Sequence, residues 1–287
     1  MAETTIRLPS VAGQFYADTK DKLSQQLQSF FDQKQVVRET SLMADEHNWP
    51  KLIMVPHAGY QFSGQVAATG FGSLKKALIK RVFLLGCSHQ EYLIKAALSS
   101  KSSWKTPLGS VSLDQDLIDK YIFKSHWQIN DLVHDCEHSL EVQLPFLQFI
   151  LSDFQIVPIL LGQLSQDSLE KVVEDIAQNF DHQSLLVIST DLSHYPDAQL
   201  AEKSDQQLIT SIISLDIKQF KKVISQTNPS ENLQTRACGA QAIEVGLQLA
   251  QKKNYTKVKL YQYQHSGNIS HDKTQVVGYA SLGFYLP

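Results

Sequence analysis

Three short apolar runs, each closed by a residue that ends a strand, set the main limit on how this chain folds. Leu52-Ile53-Met54-Val55 stops at Pro56, Val82-Phe83-Leu84-Leu85 stops at Gly86, and Leu185-Leu186-Val187-Ile188 stops at Ser189. Unbroken apolar runs of this length fit strands covered on both faces, the pattern of a parallel sheet between helices. Chemistry-bearing side chains follow each run: His57, then His89, then Asp191 with His194. Glu137-His138 opens a further segment that continues through Leu140 and Glu141 to Gln148. In open α/β sheets, sites gather at the carboxyl ends of parallel strands. These residues, distant in sequence, are therefore expected to converge on one pocket.

The rest of the pattern alternates strands with helices. Leu23, Leu27, Phe30 and Phe31 predict an amphipathic helix over Thr19–Gln33. A helix over Gly64–Lys80 would join the first two buried strands in a βαβ unit. Val111–Leu113 reads as a short strand after the turn Thr106-Pro-Leu-Gly109, and Leu140–Leu151 as a helix in which Pro145 marks a kink or the end of one turn. Ile156–Leu161 is a strand in which Pro158 favours an edge or a bulge. Leu169–Phe180 is a helix capped by Ser165 or Asp167, and Asp197–Ser214, Ile217–Ser225 and Gly239–Lys252 are helices too. Lys257–Tyr263 and Gln275–Tyr285 read as closing strands, with an antiparallel arrangement open to them. The mainly polar stretch 34–48 is expected to be a surface loop. One α/β domain over 1–287, with a mostly parallel or mixed sheet flanked by helices, accounts for all of this.

Composition excludes several classes. A net charge of −3 with 19% charged residues leaves no basic footprint for nucleic acid or for an anionic membrane surface. No apolar run approaches the ~20 residues that span a bilayer. The opening Met1-Ala-Glu-Thr-Thr-Ile-Arg-Leu-Pro9 lacks the charged-then-apolar order of a secretory leader. Three cysteines in 287 residues are not a disulfide framework, so a cytoplasmic, reducing compartment is expected. Glycine-rich nucleotide loops, Cys-x-x-Cys, His-Glu-x-x-His and Gly-x-Ser-x-Gly do not occur.

Each candidate residue carries two readings. His57 and His89 are metal ligands or acid/base groups, or else polar residues satisfied by loop backbone. Asp191 orients His194 or ligates beside it, or else caps a following helix. Glu137, His138 and Glu141 move protons, or else tie their helix to the sheet. Cys238, just before a helix, is a thiolate ligand or nucleophile, or else a small packing residue. Cys87 and Cys136 read as packing residues.

Taken together, these stretches resemble the Memo family, whose prokaryotic members are called AmmeMemoRadiSam system protein B. The resemblance rests on Arg7-Leu-Pro-Ser-Val-Ala-Gly-Gln-Phe-Tyr16, Pro56-His-Ala-Gly-Tyr60 with Ser63-Gly64, Gly86-Cys-Ser-His89 and Thr106-Pro-Leu-Gly109. It continues through Glu137-His-Ser-Leu-Glu-Val-Gln-Leu-Pro-Phe-Leu147, Ser189-Thr-Asp-Leu-Ser-His-Tyr195, Cys238-Gly239 and Val277-Gly-Tyr-Ala280. It implies a fold like that of the class III extradiol dioxygenases. It also implies a pocket in which His57, His89 and Cys238 hold a metal, with Asp191 and His194 lining it. The same resemblance links the prokaryotic members by name to a radical-SAM partner protein.

Two functions follow as expectations. The first is redox or oxygen chemistry on iron(II) or copper, with His194 as acid/base oriented by Asp191 and with Glu137 and His138 supporting the ligands. The second is a non-catalytic module that grips a peptide or small-molecule ligand in a dioxygenase-like pocket. A zinc site with an activated water is a further, hydrolytic reading.

Overall fold

The buried runs form strands, and the sheet they build fixes where the candidate residues lie. The computed structural model describes residues 5–33, 49–74, 77–226 and 232–287; the predicted loop at 34–48 lies outside them. In chain order the strands are β1 (Ile6–Arg7), β2 (Leu52–Val55), β3 (Arg81–Cys87), β4 (Ala96–Leu98), β5 (Ser103–Thr106) and β6 (Gly109–Ser112). They continue as β7 (Trp127–Ile129), β8 (Gln155–Leu161), β9 (Ser184–Ser189), β10 (Lys257–His265) and β11 (Gly278–Tyr285). The main sheet has the order β10-β11-β2-β9-β3-β8-β4-β7. Its centre, β2-β9-β3-β8, is wholly parallel. The three apolar runs at that centre have no exposure to solvent, as strands covered on both faces require. The closing strands β10 and β11 are antiparallel to each other, and β11 is antiparallel to β2. The sheet is thus mixed, and the chain has the expected α/β fold.

Local chemistry explains where the elements depart from the simple pattern. The helix after β2 runs Tyr60–Gly72, not Gly64–Lys80. It starts early because Tyr60 is buried and donates its hydroxyl proton to the Val142 carbonyl at 2.6 Å. It stops early where Ser73 turns its hydroxyl back onto the Gly70 carbonyl. The strands that this helix joins are not neighbours, because β9 inserts between them. Pro158 sits in an interior strand and keeps register with Leu84 of β3. The other side of β8 is bridged at Ile156 and Leu160, on either side of the proline. The proline therefore occupies a local gap in the ladder, where its missing N–H costs no pairing. Glu141–Gln143 form a 3-10 turn, and the α-helix Leu144–Ile150 begins there with Pro145 in its first turn. Ser165 caps the helix Gln166–Asn179, and Asp197 caps the helix Ala198–Ile213.

A small second sheet of order β1-β5-β6 anchors the N-terminal segment. Its β5–β6 turn closes at Gly109, whose φ of +129° suits glycine. β1 delivers Arg7 into the interior. The guanidinium lies 4.4 Å over the Trp104 ring and pairs with Glu141 at 2.7 Å, with both side chains fully buried. It also donates to the carbonyls of His134 and Glu137 at 2.6 and 2.9 Å. Glu141 accepts further bonds from Tyr16 and from the Ser10 and Val11 backbone. Arg7 thus fixes the backbone that carries Glu137 and His138.

Candidate metal centre

The carboxyl ends of β2, β3 and β9 lie side by side, because the strands are parallel neighbours in the order β2-β9-β3. His57 follows β2 by two residues, His89 follows β3 by two, and Asp191 follows β9 by two. Cys238 arrives from elsewhere in the chain, just before the helix Ala240–Lys252. One donor atom each from His57, Cys87, His89 and Cys238 falls within 4.8 Å of the others. His89, Glu137 and His138 form a second such group that shares His89.

Hydrogen bonds set which imidazole nitrogen faces the shared space. Ser189 spends its one proton on the Ser139 carbonyl and accepts from Gln143 at 2.8 Å. It can therefore only accept from His57 Nδ1, 3.0 Å away. His57 Nε2 is left pointing at Cys238 Sγ, at 3.2 Å. His89 Nδ1 lies 3.0 Å from Glu137 Oε1, a carboxylate that can only accept. Its Nε2 is 3.5 Å from Cys87 Sγ. Both rings hold their tautomer through a fixed acceptor, the arrangement that orients metal-ligating histidines. Glu137 also accepts the backbone N–H groups of His89, His138 and Ser139. The His138 ring stacks on His89 with centroids 4.7 Å apart and meets His57 edge-on at 5.4 Å.

The charges are those of a thiolate held by imidazolium rings. Burial opposes the Cys238 anion, but the Cys87 thiol and the charge and hydrogen bond of His57 outweigh it, and its pKa falls well below the usual thiol range. Its partner Cys87 is pushed well up, first by its hydrogen bond to Cys238 and then by burial. Burial opposes the charged form of His57, yet the Cys238 and Asp191 anions raise its pKa to about 9. His89 is likewise raised to about 10 against burial, by hydrogen bonds to Cys238 and Glu137. Burial and the neighbouring His57 drive His138 down to about 4, so that ring is neutral at pH 7. Burial would raise the Glu137 carboxyl, but its bonds with His89 bring it down to about 2.

Cys238 owes its place to the residue after it. Gly239 donates its N–H to Thr190 Oγ1 at 2.9 Å, and a Cβ there would lie 2.7 Å from the Thr190 Cβ. Asp191 donates its own backbone N–H to the Cys238 sulfur at 3.3 Å.

The candidates read from sequence are not all used alike. His57, His89 and Cys238 are brought together, with Glu137 and His138 beside them. Asp191 is buried, but its carboxylate accepts the His57 backbone N–H at 2.8 Å; it caps no helix. His194 is bound through Nδ1 to the Leu192 carbonyl at 2.8 Å and belongs to neither donor group. Glu141 is taken up by Arg7 and Tyr16 rather than by His138. Cys87 was the residue missed. Its sulfur lies within the candidate donor group, and the Cys-x-His spacing with His89 is the available signal. Cys136 is exposed at the end of its helix, so it does not fill the core either.

Two imidazole nitrogens and two sulfurs gathered at the carboxyl edge of a parallel sheet make this α/β protein one with a candidate metal-binding cluster. The chain matches the family described as Memo-like protein over residues 7–283, and it belongs to that family. It is 33% identical over 283 residues to a MEMO1 family protein of Thermoplasma acidophilum, covering 98% of this chain and 99% of that protein. It is 34% identical over 281 residues to a MEMO1 family protein of Methanosarcina acetivorans, covering 96% and 98%. A MEMO1 family protein of Methanopyrus kandleri is 31% identical over 284 residues, covering 97% and 98%. Among the described residues, no helix is long and apolar enough to cross a membrane.

Proposed function

We propose that this pocket binds iron(II) or copper and carries redox chemistry on a small molecule. The observation that supports this most is the convergence of His57, Cys87, His89 and Cys238 donor atoms within 4.8 Å. Two sulfurs with two imidazoles form a soft-to-borderline set open to copper and iron as well as to zinc. His57 Nε2, His89 Nε2 and Cys238 Sγ would be the ligands, with Cys87 beside them as a fourth donor. Such an ion, when bound, would supply a one-electron couple.

The chain's own residues do the rest. Ser189 and Glu137 hold the two imidazoles in the ligating tautomer. His138, neutral and stacked on His89, is the acid/base group we assign beside the ligands. It takes the acid/base role that the sequence suggested for His194. A cavity of about 220 Å³ beside Cys87, Cys238 and Gly239 gives a small substrate room next to both sulfurs.

Anaerobic purification followed by elemental analysis tests the reading. Wild-type protein is expected to hold iron or copper in a fixed ratio to the chain, and a His57→Ala, Cys238→Ser double variant is expected to hold neither. Equal metal content in the two proteins would end it, as would uptake of zinc alone.

A further inference from the structure

The pocket contains one sulfur more than a two-histidine, one-cysteine site calls for. Cys87 ends β3 and Cys238 precedes the helix Ala240–Lys252, yet their sulfur atoms belong to a single group within 4.8 Å. Both are free thiols. Both line the same cavity of about 220 Å³, together with the small residues Gly86, Gly162 and Gly239. Each sulfur also has an imidazole nitrogen at hand: His57 Nε2 lies 3.2 Å from Cys238 and His89 Nε2 lies 3.5 Å from Cys87. Bringing the sulfurs to the ~2 Å of a disulfide takes a movement of side-chain scale.

We propose that Cys87 and Cys238 form a reversible dithiol–disulfide couple that reduces a hydroperoxide small enough to enter this cavity. The Cys238 sulfur attacks one peroxide oxygen and the O–O bond breaks. The departing oxygen leaves as water with the proton that Cys238 shares with the His57 imidazole, and Cys238 becomes a sulfenic acid. The Cys87 sulfur then attacks the Cys238 sulfur and the S–O bond breaks. Hydroxide leaves with the Cys87 proton as a second water. Two thiols have lost two electrons and two protons, and one hydrogen peroxide has become two waters. An external dithiol returns the pair to its starting state by thiol–disulfide exchange. The step uses only the two sulfurs and stands whether or not the pocket takes up a metal. Once the disulfide is closed, two of the four donors are gone, so oxidation and metal occupancy exclude each other.

The experiment treats chelator-stripped, full-length protein with hydrogen peroxide, then counts thiols and maps cross-linked peptides by mass spectrometry. Two of the three free thiols are expected to disappear, in a Cys87–Cys238 linked peptide that dithiothreitol fully reverses. A Cys136→Ser variant is expected to behave like wild type. A Cys87→Ser variant is expected to form no link and to retain oxygen on Cys238. The proposal is overturned if wild-type Cys238 runs on to the sulfinic acid without a link, or if the lost thiols trace to Cys136. Elemental analysis of the same protein before stripping reports on the metal reading separately, so either idea can fail without the other.

Discussion

The Asp191 carboxylate accepts the backbone N–H of His57 at 2.8 Å, tying the end of β9 to the end of β2. The partner is a main-chain group, so the acid sets where His57 stands rather than which proton its ring carries. Ring orientation falls to Ser189 and Gln143. Position and tautomer of this one histidine are thus set by separate residues, and they can be perturbed separately.

Glu137→Gln should weaken metal binding about 10–100-fold, the usual cost of losing an outer partner of a ligating histidine. The amide keeps one acceptor for His89 Nδ1 but presents a donor to the His89 N–H that Oε2 now accepts. Competition against a chelator of known affinity measures the change. An affinity within about twofold of wild type would show that His89 needs no such support.

Metal uptake at pH 7 should release protons to the buffer. His57 is held at about 9 and His89 at about 10, so both rings are charged in the metal-free protein and must lose a proton to ligate. The sign is fixed: affinity climbs as pH rises toward those values and drops as it falls. Calorimetry in two buffers of different ionisation enthalpy reads the proton count directly. Identical heats in both would contradict the imidazolium–thiolate ground state.

Gly239→Ala should displace Cys238 while leaving the fold in place. The new methyl would stand 2.7 Å from Thr190 Cβ and 2.9 Å from the Ser189 carbonyl, so the loop must retreat from β9. Overpacking of this kind costs about 1–3 kcal/mol, visible in urea denaturation. The reactivity of Cys238 toward a thiol reagent should change at the same time, and unchanged reactivity would mean the loop absorbs the methyl elsewhere.

Arg7→Ala should destabilise the protein by about 3–5 kcal/mol, because it strands Glu141 as an unpaired buried charge. It should also loosen the Glu137 backbone that Arg7 holds at 2.9 Å. Chemical denaturation gives the first number. A loss under about 1 kcal/mol would place the pair with surface ion pairs, whose contribution is small.

The sheet and half of the pocket were legible because burial on both faces leaves an unbroken apolar run, and the residue after the run lands at the sheet's edge. His57, His89 and Asp191 could be read that way. Cys238 needed the family resemblance, since a cysteine before a helix is common and nothing local says that it folds onto β9. Cys87 was misread because a small apolar thiol at the end of a strand satisfies the packing pattern as well as any core residue. Only the direction of its side chain puts it in the candidate donor group. The Arg7–Glu141 pair left no trace either, because it joins positions 134 residues apart. The small β1-β5-β6 sheet was largely invisible, since strands of two to four residues carry no period to detect.

His57 and Cys238 touch across 181 positions of chain. A ribosome that has released three quarters of this polypeptide has made no usable pocket, however well the central strands have already paired. The cluster is therefore completed late in synthesis, by a donor made long after the strands whose ends it joins.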